Sequence, residues 1–229
     1  MAKIGIGCTT YNRDGMIKEW KVRTFCESID WEYFYQTTGT KNQFDGIDKK
    51  GNLIYAYIAE DTDEDRRGIS YRKNECLRAL KDCDYIFLFD DDTFPIKEGW
   101  IDYFINNSGG CHLLYLNESH NKQHSLMDVD VYSNCGGAFM FMTSKHIKKV
   151  GAFNEKFGLY GFEHAEYSMR INGARRFYCL NRTQEYIYAH DYSTPNHKSS
   201  ITDEEKQKHI KESWNKFFNE PIKQIHIPL

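Results

Sequence analysis

An α/β domain with a mixed, mostly parallel central sheet and helices on both faces is the architecture this sequence predicts. Two observations predict it. Strand-like and helix-like segments alternate through the first half of the chain, and the most apolar strands end in polar, chemistry-bearing loops. In sheets of this kind ligands gather beyond the carboxyl ends of the strands.

The elements follow in order. KIGIGCTT, residues 3–10, reads as a buried strand running into the loop TTYNR, and Met16 to Cys26 has helical spacing. WEYFYQTT, residues 31–38, is a second strand by its aromatic content, and the turn residues of FDGIDKKGN lead into a third, LIYAYIAED. In Ser70 to Lys81 the apolar positions Cys76, Leu77 and Leu80 make a helical stripe, and DYIFLF follows as the fourth strand. The second half is less regular. GGAFMFMTS is a strand, KHIKKVGAFNEKF carries a short helix and a turn, and GFEHAEYSMRING is a helix closed by Gly173. RRFYCL and EYIYAH are short strands, and the final helix opens with a capping box, Thr202 with Glu205. Residues 191–200, DYSTPNHKSS, have neither strand nor helix signals. The 229 residues suit a single domain, 1–229, with halves over 1–95 and 96–200 and a C-terminal helix and tail over 201–229.

Composition excludes several classes. Hydrophobic residues at 40% and aromatics at 15% support a sizeable core, so the chain is globular. A formal charge of −3, from 30 Lys+Arg and 33 Asp+Glu, provides no global nucleic-acid-binding signature. No run approaches the ~20 apolar residues of a spanning helix, and the N-terminus does not read as a signal peptide. Seven cysteines without a C-x-x-C pair point to reduced thiols and a cytoplasmic location.

The chemistry concentrates at DYIFLFDDDTFP, residues 84–95. Adjacent ionised carboxylates about 5 Å apart repel by roughly 3 kcal/mol at an effective dielectric near 20, so three in succession need relief from a cation or water. Period-two alternation sends Asp90 and Asp92 to one face and Asp91 to the other, a spacing that suits oxygen ligands of Mg²⁺ or Mn²⁺. Glu166 and Arg170 form an i,i+4 pair with a structural role, and Trp100 is either a partly buried helix residue or a stacking surface for an acceptor sugar.

The ordered blocks CTTYNR, GISYRKNECLRALKDCDYIFLFDDD and GGAFMFMTSKHIKKVGAFNEKFGLYGFEHAEYSMRI resemble GT-A glycosyltransferases, family-2-like in the donor half and similar to galactosyl- and N-acetylgalactosaminyltransferases in the second. The resemblance implies a GT-A fold and transfer of a sugar from a nucleoside diphosphate sugar, with a UDP-sugar favoured. The acceptor is left open among glycan, lipid-linked glycan, protein and modified nucleobase. It also implies residue roles. Thr9, Thr10, Tyr11 and Arg13 would lie along the nucleotide, and Arg72 would approach its phosphates or base. Asp90 would bind the ribose or a metal-bound water, Asp91 would support the loop, and Gly136 and Gly137 would admit the donor sugar. Asp92 would ligate the metal, and His190 stands where many members supply a further ligand. An imidazole tilts the ion toward Mn²⁺ over Mg²⁺; His197 is a second candidate.

Two departures from the family pattern matter. His164 stands where many inverting members have a catalytic Asp, so either Glu163 or His164 is the base, with a slight preference for Glu163 at a helix N-terminus. The acidic loop expected after the second strand reads QTTGTKNQ, and the run AEDTDEDRR, residues 59–67, is either its substitute or, by preference, a solvated loop. A nucleotidyltransferase and a non-catalytic nucleotide-sugar-binding domain are the competing functions. The first lacks a Gly-rich, basic phosphate loop after the first strand.

Overall fold

The computed structural model describes residues 1–27, 31–36, 42–115, 122–134, 136–190, 202–219 and 225–229. The QTTGTKNQ loop for the most part, and the segment 191–200 with His197, lie outside these residues. The chain runs β1 (Lys3–Tyr11), α1 (Asp14–Val22), β2 (Trp31–Gln36), β3 (Gln43–Asp48), β4 (Leu53–Asp61), α2 (Ile69–Ala79), β5 (Tyr85–Asp90), β6 (Thr93–Pro95) and α3 (Trp100–Asn107). It continues through β7 (Leu113–Tyr115), β8 (Lys122–Leu126), β9 (Val129–Tyr132), β10 (Gly136–Thr143), α4 (Ser144–Val150), α5 (Glu163–Asn172), β11 (Phe177–Leu180), α6 (Thr183–Tyr186), β12 (Ile187–Ala189) and α7 (Asp203–Asn219).

The strands form one mixed sheet in the order β2-β3-β4-β1-β5-β10-β7-β11-β9-β8, and β12 pairs separately with β6. Its centre, β4-β1-β5, is parallel. Antiparallel pairs flank it, with β3 on β4 at one side and β10 on β5 at the other. The mixed sheet covered on both faces is therefore the one expected, with its parallel part confined to the centre and to the β7–β11 pair.

Alternation along the central strands sorts the core into two layers. Ile4, Ile6, Phe87, Phe89, Phe139 and Phe141 join Trp20 of α1 and Trp100 and Phe104 of α3. Ile86, Leu88, Met140 and Met142 face the other way, toward Cys76 and Leu77 of α2, Ile147 of α4 and Tyr167 of α5. Trp100 is fully buried, with its ring 4.8 Å from that of Phe87, so it is a core residue and not a sugar platform. On the α2 side of β1 the sequence supplies glycine: a Cβ at Gly7 would stand 2.9 Å from Cys76 Cβ and 2.6 Å from Leu88 Cδ2. The missing side chain lets α2 close on β1, which brings the first turn of α2 to the strand ends. The Thr202–Glu205 capping box forms as expected, with Glu205 N donating to Thr202 Oγ1 at 3.2 Å.

Two differences from the sequence reading have clear causes. EYIYAH is a strand only over Ile187–Ala189, β12, which pairs with the three residues of β6, and its first two residues close the helical turn α6. The strand beside β1 is β4, whereas β2 lies two strands further out in an antiparallel arrangement. The loop corresponding to a parallel second strand is therefore the acidic run after β4.

Candidate active site

Parallel pairing aligns Thr9 with Asp90, so the loop after β1 and the aspartate triplet after β5 leave the sheet side by side. Thr9 Oγ1 donates to Asp90 Oδ1 at 3.1 Å and Thr10 Oγ1 to Asp91 Oδ2 at 2.6 Å. Arg13 spans the triplet, 2.8 Å from Asp91 and 3.4 Å from Asp92. Asp91 is 2% exposed and supports the loop, whereas Asp90 retains about a third of its side-chain exposure, 32%. Burial pushes the Asp91 carboxyl up to about 7 against the pull of Arg13, and the Asp90 carboxyl up to about 6 against that of Lys73. The two guanidinium and ammonium charges thus leave this corner with an excess of carboxylate.

The β6–β12 ribbon brings the chain back to the triplet. His190 N donates to Asp92 O at 2.9 Å, which seats His190 beside Asp92 although 98 positions separate them in the sequence. Among the described residues no group of three or more His, Cys, Asp or Glu side chains is disposed to hold a metal.

The opposite wall is the start of α5. Phe162 adopts a left-handed backbone, φ 66°, and turns the chain so that Glu163 and His164 open the helix. Its ring stacks on Phe217 of α7 at 5.2 Å, which helps to hold this strained residue. Glu163 is 4% exposed and accepts from Lys73 Nζ at 3.0 Å. Lys73 Nζ also reaches Gly137 O at 3.3 Å and lies 3.7 Å from Asp90 Oδ1. Burial alone would raise the Glu163 carboxyl, but the Lys73 ammonium and the adjoining His164 outweigh it and hold the group well below the usual carboxylate range. His164 Nδ1 is 3.5 Å from Glu163 Oε1, and its ring lies where a Cβ on Gly137 would stand. Behind it, Ser168 Oγ donates to His164 O at 2.7 Å and contacts His112 Nε2 at 2.9 Å. Glu166 takes the structural part read from its spacing, 2.8 Å from Arg170 Nε.

Arg72 borders the same space but is occupied otherwise. Its guanidinium pairs with Asp61 at 3.0 Å, Asp65 at 2.8 Å and Glu75 at 2.7 Å. It organises the acidic run: Asp61 accepts from Arg67 N and Gly68 N ahead of α2, and Asp63 accepts from Tyr11 Oη. Asp61 and Arg66 of that run line the pocket, whereas Asp63, Glu64, Asp65 and Arg67 are exposed, so the run is anchored at the site and solvated in its middle.

Thr9, Thr10, Tyr11, Arg13, Arg72, Asp90, Asp91, Asp92, Gly136, Gly137, Glu163, His164 and His190 all line one pocket of about 430 Å³. Arg66, Tyr115, Asn134 and Lys206 join them without having been singled out in the sequence. Lys73 was also missed, although a signal existed. Positions 73, 76, 77 and 80 share one helical stripe, so the apolar phase of α2 turns Lys73, and not Arg72, toward the sheet. Cys8, Cys76, Cys83 and Cys111 are free thiols, and no described helix is long and apolar enough to cross a membrane.

No family model matches the chain. An uncharacterized glycosyltransferase of Acanthamoeba polyphaga mimivirus is 28% identical over a 224-residue alignment covering 83% of this chain and 82% of the relative. Among solved structures, the catalytic domain of Drosophila β1,4-galactosyltransferase 7, in complex with xylobiose, superposes with a TM-score of 0.51 at 12% identity, covering 90% of this chain and 78% of that one. TarS of S. aureus in complex with UDP gives a TM-score of 0.51 at 13% identity, covering 95% and 72%. The chain thus has the GT-A fold of these solved glycosyltransferases and is similar over most of its length to a viral chain named as a glycosyltransferase.

Proposed function

We propose that the chain moves a sugar from a nucleoside diphosphate sugar, a UDP-sugar by preference, to an acceptor hydroxyl with inversion, and does so in the cytoplasm with a divalent cation. The observation that carries this reading is the joining of three sequence-distant groups in one pocket: the β1 loop, the aspartate triplet and the start of α5. The UDP complex of the structurally similar TarS favours uridine.

The residues fit a cation. Asp92 and His190 are neighbours through a backbone hydrogen bond, and the corner they share carries more carboxylate than its cations balance. Two protein ligands accord with a hard ion that takes its remaining ligands from substrate phosphates and water, and the imidazole favours Mn²⁺. Bound there, the cation would neutralise the departing diphosphate. Thr9, Thr10, Tyr11 and Arg13 hold the nucleotide side, Asp90 the ribose, and Gly136 the sugar side. Arg72 orders the acidic loop, and Tyr11, which donates to Asp63 of that loop, faces the base.

In the transfer, the acceptor oxygen bonds to the anomeric carbon as the bond to the diphosphate breaks and its electron pair leaves with the diphosphate. The hydroxyl proton goes to a base. Glu163 is buried, bound to Lys73 and strongly disposed to stay ionised, which makes it a weak proton acceptor. His164, with 19% of its side chain exposed at the pocket wall, is the better base. This reverses the slight preference read from the sequence.

Thermal shift tests the reading. UDP with Mn²⁺ at about 100 times its dissociation constant should stabilise the chain by about 2.7 kcal/mol, and Asp92→Asn should abolish the gain. A preference for ATP would indicate a nucleotidyltransferase, and no response to UDP, GDP, CDP or ATP a non-catalytic domain.

A further inference from the structure

Position 73 lies on the buried stripe of α2, where Cys76, Leu77 and Leu80 are apolar and where an apolar residue would pack at no electrostatic cost. A lysine stands there instead, 1% exposed. Its three N–H donors face three oxygens: Glu163 Oε1 at 3.0 Å, Gly137 O at 3.3 Å and Asp90 Oδ1 at 3.7 Å. These belong to α5, β10 and β5, the elements that carry the acceptor-side residues and the donor-side triplet. No other described ammonium is as close to both Glu163 and the triplet.

We propose that Lys73 is a positioning residue that holds the Glu163 carboxylate against His164 Nδ1, so that Nδ1 carries the ring proton and Nε2 is the nitrogen that accepts one. The inference deepens the assignment of His164 as base and rests on it for its consequence, though not for its geometry. An ionised carboxylate beside one imidazole nitrogen requires that nitrogen to be the N–H of the neutral ring. Glu163 stays ionised in a buried place because Lys73 neutralises it, and the Gly137 carbonyl fixes the ammonium from the other side. Asp90 shares the same ammonium, which links the donor corner to the base through one side chain.

Nitrogen NMR of the ¹⁵N-histidine-labelled full chain tests this, with the His164 signals identified by their loss in His164→Gln. At a pH where the ring is neutral, the wild type should show Nδ1 protonated and Nε2 unprotonated. Lys73→Met should lose that tautomer, and Lys73→Arg should retain it. A wild-type Nε2–H tautomer, or a folded Lys73→Met that keeps Nδ1–H, overturns the proposal. Should Lys73→Met not fold, the double variant Lys73→Met/Glu163→Leu leaves neither a lone buried charge of the pair nor an acceptor at position 163: loss of the Nδ1–H form there supports the proposal, and its persistence overturns it. The tautomer is read without nucleotide, whereas the glycosyltransferase reading stands or falls on the UDP and Mn²⁺ thermal shift. Either can therefore fail without the other.

Discussion

A Cβ on Gly137 would stand 2.3 Å from Cγ and 2.6 Å from Cβ of His164. The crowded atoms include the root of the imidazole, so the ring cannot simply swing its tip aside, and Gly137→Ala must displace the side chain or the start of α5. The expected cost is about 1–3 kcal/mol in denaturant unfolding, together with loss of transfer. Gly137→Ala/His164→Ala should recover only part of that stability, because alanine keeps the Cβ that would stand 2.6 Å away; no recovery at all would mean that the ring contributes nothing to the clash. At this scale the aspartate triplet was legible only in part: Asp91 is the most buried of the three, but β5 ends at Asp90, Asp91 and Asp92 lie in a turn, and Arg13 reaches both, so strand alternation does not extend through them. Arg72, to which family resemblance points, borders the pocket, whereas Lys73, to which helical phase points, was missed. Two adjacent cations on a helix are about 100° apart, and that rotation decides which one meets the sheet and which one the acidic loop.

At the scale of the element, α5 is held from behind by a buried chain of polar contacts. His112 Nδ1 donates to Phe141 O at 2.9 Å, and its Nε2 is 2.9 Å from Ser168 Oγ, whose single hydroxyl proton is shared between Nε2 and the His164 carbonyl 2.7 Å away. Burial, with the neighbouring His146, lowers the His112 pKa to about 3, so the ring is neutral in the folded chain. The folded value lies below the ordinary one near 6.5. The stability His112 contributes is thus present above pH ~6.5 and lost as pH falls toward about 3. Over pH 6.5 to 4.5 the loss amounts to about 2 kcal/mol. Asp90 and Asp91, raised by burial, act with the opposite sign, and they cancel when two chains differing only at position 112 are compared. His112→Gln should therefore flatten the acid limb of stability against pH by that amount. Equal limbs would mean that His112 takes up its proton inside the fold. The elements themselves were legible where alternation or a helical stripe ran long enough, as in β1, β5, β10, α2 and α5. β7 and β9 were not, being three and four residues long, and their burial comes from partners distant in sequence.

Across the whole molecule, the order of the motifs along the chain was readable, but the closure of the C-terminal segment over the catalytic half was not. Ser213 Oγ donates to Phe157 O at 3.3 Å and Tyr160 O at 3.1 Å, and Phe217 stacks on the left-handed Phe162. Beyond α7, Ile227 forms a parallel bridge with Gly151, and Arg170 reaches Ile225 O. Nothing local in ITDEEKQKHIKESWNKFF reveals these contacts, because the helix meets a turn rather than a strand. They predict a division of labour. The α7 residues Ser213 and Phe217 brace the loop that ends in Glu163 and His164, whereas the donor corner is built from the ends of β1 and β5 and the β6–β12 ribbon. Phe217, 9% exposed, should cost about 3 kcal/mol on truncation to alanine, seen as a lower denaturant midpoint with an unchanged slope. The turn at Phe162 would then loosen and transfer would fall, while stabilisation by UDP with Mn²⁺ should persist close to that of the wild type. A Phe217→Ala chain that lost its nucleotide response as fully as Asp92→Asn would mean that the C-terminal helix organises the donor corner as well, and that the two halves of the pocket are one cooperative unit.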